Sequence, residues 1–147
     1  IIGAEGYRYV GELVETPNLP VDPNVRPRIL LGKDIRAHEY LDALAEQQEA
    51  KAEYNDAMGD FDALLSPSTE TPAIPLTEVD EGGTPARFTR GANCLELCAL
   101  SVPNGISPDG LPTSLQIACA GHEEAMALRI GWAYEQATDW HHKHPEF

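Results

Sequence analysis

The 147-residue sequence has few cysteines, few basic residues and no long hydrophobic run. Its cysteines, Cys94, Cys98 and Cys119, are odd in number and too sparse for a disulfide framework, so reduced thiols are expected. No apolar stretch approaches the ~18–20 residues that a transmembrane helix requires. The first residues also lack the basic flank and apolar centre of a secretory signal. These absences predict a cytoplasmic protein that does not enter a membrane.

Positive charge is scarce, because 10 Lys and Arg residues stand against 24 Asp and Glu residues, for a formal net charge of −14. Such a surface repels nucleic-acid phosphates and anionic lipids, so neither is expected as a partner. The 42% hydrophobic and 23% charged residues are typical of a globular chain rather than a disordered one. The length allows one domain or less, and 12 Pro and 12 Gly predict short elements joined by turns.

Helical and strand patterns alternate along the chain. Helices are predicted over residues 23–31, 36–58, 85–97 and 123–137, and strands over 61–65, 100–102 and 114–120, with a turn over 103–112. On the last helix, Leu128, Trp132 and Ala133 are the expected buried residues. This order predicts the α/β class. Because three short strands cannot cover the apolar faces of these helices, the rest of the sheet is expected from other polypeptide.

Several short motifs follow one another in a defined order: DALLSP at 62–67, Thr89-Arg90, Asn93, LSVPNG at 100–105, GLP at 110–112 and LQI at 115–117. Together they resemble the C-terminal part of the amidase signature enzymes, serine hydrolases that cleave amides and related carbonyl bonds. The resemblance covers essentially the whole chain. It implies an α/β fold in which residues 1–147 form the C-terminal segment of a single amidase-signature domain, with helices packed on part of a mixed sheet.

The resemblance also implies a chemistry that uses a serine nucleophile, a second serine in a cis peptide and a lysine base, without a cofactor. No catalytic residue can be assigned in this chain, because its serines lie in Pro-rich loops or strands without a Gly-x-Ser-x-Gly elbow. We therefore expect an N-terminal catalytic portion of the same enzyme as partner, and this chain alone to be inactive. The implied substrate is a small amide, carbamate or urea-like compound, and a homodimer is a further option.

Arg90 and Asn93 are the candidate substrate-binding residues, because the resemblance places them beside the substrate channel. Asn93 could hydrogen-bond a substrate carbonyl or hold a neighbouring loop. The sequence departs from the family at Glu96 and Cys98, where Gly and Pro are frequent. The Glu96 side chain could change the shape of the pocket or point to solvent.

Other patterns are given structural interpretations. His141, His142 and His144 beside Asp139 are expected in a solvated tail, so no metal site is predicted. Cys94 and Cys98, four residues apart on a predicted helix, are expected to be buried small hydrophobic residues. Two rival functions stay open: a non-catalytic scaffold or binding subunit descended from an amidase, and an amidotransferase subunit working with tRNA, which the acidic charge disfavours.

Overall fold

The computed structural model describes residues 1–80, 83 and 85–143. Its helices are α1 (Ile2–Glu15), α2 (Val25–Leu30), α3 (Ala37–Met58), α4 (Thr89–Cys94) and α5 (Glu124–Ala137). Its strands are β1 (Leu64–Pro67), β2 (Cys98–Ile106) and β3 (Pro112–Cys119), and short 3-10 turns cover Leu31–Asp34, Leu76–Glu78 and Trp140–His142. The chain divides into two compact units, Ile1–Ala52 and Glu53–Phe147. The α/β class is confirmed.

The element positions follow the sequence patterns with local shifts. The long helix and the C-terminal helix begin within one residue of prediction. The helix predicted over 85–97 is a six-residue helix, while the strands predicted over 100–102 and 114–120 extend to nine and eight residues. The strand predicted over 61–65 begins at Leu64 and ends at Pro67. Residues 77–86 are acidic and Gly-rich, which predicts an exposed segment, and residues 81, 82 and 84 of it lie outside the described residues.

In the first unit, α1 and α2 are tied together through backbone carbonyls. The guanidinium of Arg26 donates to the carbonyl oxygens of Val14 and, at 2.7 Å, of Leu19. Asp22 followed by Pro23 is a sequence typical of a helix start, and the Asp22 Oδ1 accepts the amides of Asn24 at 2.7 Å and Val25 at 3.2 Å, although α2 itself begins at Val25. These bonds satisfy polar groups at helix ends, where no intrahelical partner is available.

In the second unit, the three strands form an antiparallel sheet in the order β1-β3-β2. Two prolines lie on its outer strands: Pro67 is opposite Leu115, and Pro103 is opposite Ser114. The Ser68 amide donates to the Ser114 carbonyl at 3.1 Å, so the peptide groups of Ser114 point toward β1. Peptide groups alternate in direction along a strand, so those of Leu115 point toward β2. Neither Pro67 nor Pro103 therefore faces a peptide group of β3, and both proline nitrogens point away from it. The missing N–H groups cost the sheet no hydrogen bond.

The core of this unit lies between the sheet and α5. It is centred on Val102, Ile117, Cys119 and Ala127. Gly131 lies so close to β2 that an added β-carbon would stand 2.4 Å from Leu100 Cδ2.

The prediction for the buried face of α5 is wrong. Leu128 and Trp132 are 60% and 64% exposed, and Ala133 is also exposed. The small residues Ala127 and Gly131 face the sheet instead, and they allow the helix backbone to approach it closely. Within the described residues, no helix has the length and apolar character needed to cross a membrane.

Candidate functional site

A row of polar side chains crosses the face of the sheet opposite α5. Ser66, Gln116 and Ser101 are direct register partners on β1, β3 and β2. Directly opposed residues share a face, and neighbouring residues such as Ile117 point the other way into the core. Three polar side chains therefore line one face of a sheet whose other face is apolar.

Gln116 is held in a defined orientation within this row. Its side chain is buried, with the residue only 6% exposed, and its Nε2 donates to Phe88 O at 3.1 Å and to Ser66 Oγ at 3.2 Å. A carbonyl oxygen can only accept, so the Phe88 bond fixes which end of the amide is the nitrogen. The Gln116 Oε1 is left as an acceptor that no donor in the described residues uses.

Ser68, which directly follows β1, meets Ser101 of β2 beside Gln116. The hydroxyl oxygens of Ser68 and Ser101 are 2.8 Å apart, and Ser68 is buried. The Ser68 backbone amide is also bonded to β3 through the Ser114 carbonyl. This pair therefore joins the residue after β1 to the middle of β2, across the intervening strand β3.

These groups line a pocket of about 320 Å³ between the sheet and α4. The lining residues are Ser68, Thr89, Ala92, Asn93, Leu97, Ala99, Leu100, Ser101 and Gln116. The volume is at the lower end of the range of ~300–1,000 Å³ found for small-molecule sites. Within the described part of the chain, the lining contains hydroxyl and carboxamide groups but no charged side chain. The pocket is therefore suited to a small, uncharged, hydrogen-bonding group.

The structure places the two predicted site residues differently. Both lie on α4, and Asn93 lines the pocket, whereas the exposed Arg90 is outside the lining residues. Sequence reasoning did not assign Ser68, Ser101 or Gln116 to the site. For two of them the sequence held a signal: Ser101 and Gln116 are each a single polar residue between two apolar residues, in segments 100–102 and 115–117.

The pocket serines are not arranged as an activated nucleophile. Such a serine needs a base within hydrogen-bond reach. The side-chain hydroxyls of Ser68 and Ser101 pair with each other, and no Lys, His, Asp or Glu lines the pocket in the described residues. The pocket can therefore hold and orient a ligand, but this arrangement gives neither serine a proton acceptor.

The departures from the family pattern lie outside the pocket lining. Glu96 is exposed, and its backbone has φ of 55°, in the left-handed region that favours glycine. Cys98 is partly buried at the start of β2, but Cys94 is exposed. The prediction that both cysteines are buried is therefore wrong for Cys94, which lies at the end of the short helix α4 where the chain turns toward β2.

The predicted histidine tail is only partly described. The His141 and His142 rings lie with centroids 3.8 Å apart on a short 3-10 turn, while His144 lies outside the described residues. Over residues 1–80, 83 and 85–143, no group of three or more His, Cys, Asp and Glu side chains is arranged to hold a metal ion.

Comparison with known proteins identifies the family. The family model "Amidase" matches residues 6–128, so the chain belongs to the Amidase family. The family resemblance expected from the motifs is confirmed. The chain spans 27% of the length of the first curated relatives that it matches.

Similar proteins include both curated sequences and solved structures. A glutamyl-tRNA(Gln) amidotransferase subunit of Desulfatibacillum aliphaticivorans is 36% identical over 132 residues, which cover 84% of this chain and 27% of the relative. The crystal structure of an amidase has a TM-score of 0.81 and 28% identity, covering 92% of this chain and 33% of that one. The S177A allophanate hydrolase of Kluyveromyces lactis has a TM-score of 0.77 and 23% identity, and the match covers 88% of this chain and 22% of the allophanate hydrolase chain. At this identity the similarity supports the fold alone.

Proposed function

We propose that this chain is part of an amidohydrolase that cleaves a carboxamide, carbamate or urea-like C–N bond through a serine acyl-enzyme. Its contribution is one wall of the substrate pocket and part of the sheet. Family membership and the similarity to a solved amidase support the reaction class. The observation that carries the role of this chain is the pocket of about 320 Å³ formed by α4 and the polar sheet face.

The lining chemistry favours a neutral substrate. A carboxylate would need a cation or several donors to replace its water, because burial of an unpaired charge is costly. The pocket instead offers neutral groups, including the Asn93 carboxamide and the Oε1 acceptor of Gln116. An amide or carbamate has both N–H donors and a carbonyl acceptor, so it complements these groups without a counter-ion.

We further propose that the nucleophile and the lysine base are supplied by an N-terminal catalytic portion outside this chain. In support, the pocket serines lack a base, and the matched relatives are several times longer than this chain. Exposed apolar side chains offer contacts for that portion: Leu64 and Leu65 on β1, and Leu128 and Trp132 on α5. A homodimer stays a prediction without specific support.

The experiment compares the complete amidase containing this chain with the 147-residue chain alone. We expect the complete enzyme to hydrolyse a simple aryl amide and the isolated chain to be inactive. Asn93→Ala in the complete enzyme is expected to raise KM for the amide about tenfold or more, as expected for the loss of ~1.5 kcal/mol or more of binding. Asn55→Ala, the same substitution on the exposed surface of α3, is the control and should leave KM unchanged.

Each outcome has a distinct meaning. Hydrolysis by the isolated chain would overturn the assignment of the catalytic residues to other polypeptide. Unchanged kinetics with reduced thermal stability in Asn93→Ala would make Asn93 a structural residue. A complete protein that binds amides but never hydrolyses them would support the alternative function, a non-catalytic scaffold or binding subunit.

The amidotransferase relatives raise a third role, in which the chain belongs to one component of an assembly that acts on tRNA. Direct contact between this chain and tRNA is not part of our proposal, because its net charge of −14 repels phosphate. A partner with a basic surface would have to supply that contact.

A further inference from the structure

Two of the three cysteines are direct partners across the β2–β3 ladder. Cys98, at the start of β2, is opposite Cys119, at the end of β3. Cys119 is fully buried, and Cys98 is partly buried. The Cys98 thiol donates to the Ala120 carbonyl at 3.3 Å. The two sulfur atoms therefore share one face and one end of the hairpin.

The register also fixes the backbone spacing of this pair. The peptide groups of Ser114 point toward β1, so those of Cys119, five residues later, point toward β2. Cys98 and Cys119 are therefore a hydrogen-bonded pair, for which the Cα atoms of an antiparallel ladder lie about 5.5 Å apart. Disulfides span Cα separations of about 4.4–6.8 Å, so the backbone spacing of this register pair lies within the range that a disulfide bridges.

We propose that Cys98 and Cys119 are a thiol modification site that forms a reversible intrachain disulfide with a low-molecular-weight disulfide as oxidant. The Cys98 thiolate attacks one sulfur of the oxidant, whose S–S bond breaks and releases one thiolate. The Cys119 thiolate then attacks the Cys98 sulfur of the mixed disulfide and expels the second thiolate. The protons lost by the two cysteines end on these leaving groups, so the oxidant is reduced to two thiols.

The order of attack follows from accessibility. Burial raises the pKa of the Cys119 thiol, with smaller contributions from Cys98, Asp62 and Glu123. Cys98 is the more accessible of the two thiols and is therefore the one that meets the oxidant first. The resulting link would lie beside Leu97 and Ala99 of the pocket wall and would hold the first residue of β2 against the last residue of β3.

The test uses the full native chain, incubated with oxidised glutathione and then alkylated in denaturant for peptide mass mapping. We expect a Cys98–Cys119 cross-linked peptide, lighter by two hydrogens than the sum of its parts and lost on reduction. Cys94→Ser is the matched control, since Cys94 lies on α4 outside the sheet, and it should keep the cross-link. Cys98→Ser should abolish it.

A second measurement does not depend on any variant. In the oxidised wild-type chain, the link closes the β2–β3 hairpin, so we expect the unfolding equilibrium to shift roughly 30- to 900-fold toward the folded state. A link between Cys94 and Cys98 in the folded chain would overturn the proposal. Glutathione attached only to Cys98, or a Cys98–Cys119 link that forms only in denaturant, would overturn it equally.

Discussion

Gly32 lies against the backbone of Gly3 so closely that a β-carbon on Gly32 would stand 1.9 Å from the Gly3 carbonyl oxygen. The 3-10 turn Leu31–Asp34 can therefore approach α1 only if position 32 has no side chain. The same β-carbon would lie 2.8 Å from Tyr7 Cβ. The sequence pattern marks Gly32 as a helix end, but its role in the structure is this close approach.

Gly32→Ala is expected to destabilise the first unit. A methyl group directed at a backbone carbonyl cannot be accommodated by a rotamer change, so we expect a loss of about 1–3 kcal/mol or more. Gly6→Ala is the control, since nothing lies within 4 Å of a β-carbon at Gly6 in α1, and it should stabilise the chain by up to about 1 kcal/mol. Urea unfolding and hydrogen exchange of the α1 amides measure both. Equal effects of the two substitutions would contradict the packing argument.

Arg26 is expected to stabilise the first unit through its bonds to α1 and the connection that follows it. It donates to the carbonyls of Val14 and Leu19, and bonds to a charged donor are worth about 1.5–3 kcal/mol each. We expect Arg26→Ala to lose about 1–3 kcal/mol and Arg26→Lys to recover only part of it, because one ammonium cannot reach both carbonyls as the planar guanidinium does. Urea unfolding measures both variants against the wild type. Full recovery by lysine would show that charge alone is responsible.

Glu15 is expected to make the folding stability of the first unit depend on pH. Its pKa is lowered from the ordinary 4.5, chiefly by the hydrogen bond from Lys33 and next by the one from Tyr7. A lowered folded-state pKa contributes stability above pH 4.5 that is lost as pH falls through the lower value. The Lys33 pKa is raised from the ordinary 10.5, chiefly by its hydrogen bond to Glu15, so its contribution is present below pH 10.5 and lost as pH rises through the higher value.

Lys33→Met tests this pair. We expect the urea midpoint of Lys33→Met to fall below that of the wild type at pH 7, and the difference to shrink as pH falls from 4.5 through the lowered pKa of Glu15 in the folded chain. Both groups are exposed, so added salt should also shrink it. Lys143→Met serves as the control, because Lys143 belongs to the second unit. A difference independent of both pH and salt would show that lost packing of the lysine stem is the cause.

Glu96→Gly is expected to stabilise the turn between α4 and β2. Glu96 has φ of 55°, and the left-handed conformation costs a non-glycine residue about 1–2 kcal/mol. We expect a gain of up to about 1 kcal/mol in the free energy of unfolding, measured by urea titration. Glu123→Gly is the matched control, because Glu123 is exposed with φ of −99° and should gain nothing. Similar behaviour of the two variants would exclude relief of backbone strain.

The sequence predicted those elements whose signal is local. The helix predicted over 36–58 is α3, Ala37–Met58, and the helix predicted over 23–31 is α2, which begins two residues later at Val25. The buried face of α5 was not found, because Ala127 and Gly131 have little hydrophobic signal beside Leu128 and Trp132. Ala127 and Gly131 are buried because their small side chains let α5 approach the sheet closely. That requirement is set by the position of the sheet and is not visible in the helix sequence alone.

The pocket was predictable only in part. Asn93 came from the family motif, whereas Ser68 and Ser101 are 33 residues apart in the chain and meet through the register of two ladders. Shifting either ladder by one residue would turn the polar row to the opposite face. The strand patterns predicted that the strands exist but not how they pair.

The outward direction of Pro67 and Pro103 limits how a further strand can pair with the edges of the sheet. An incoming strand needs an unbroken series of amide donors, and each outer strand of the sheet lacks one at its proline. A strand that pairs with either edge, whether it belongs to another copy or to the rest of the larger sheet, must therefore leave one position without a hydrogen bond.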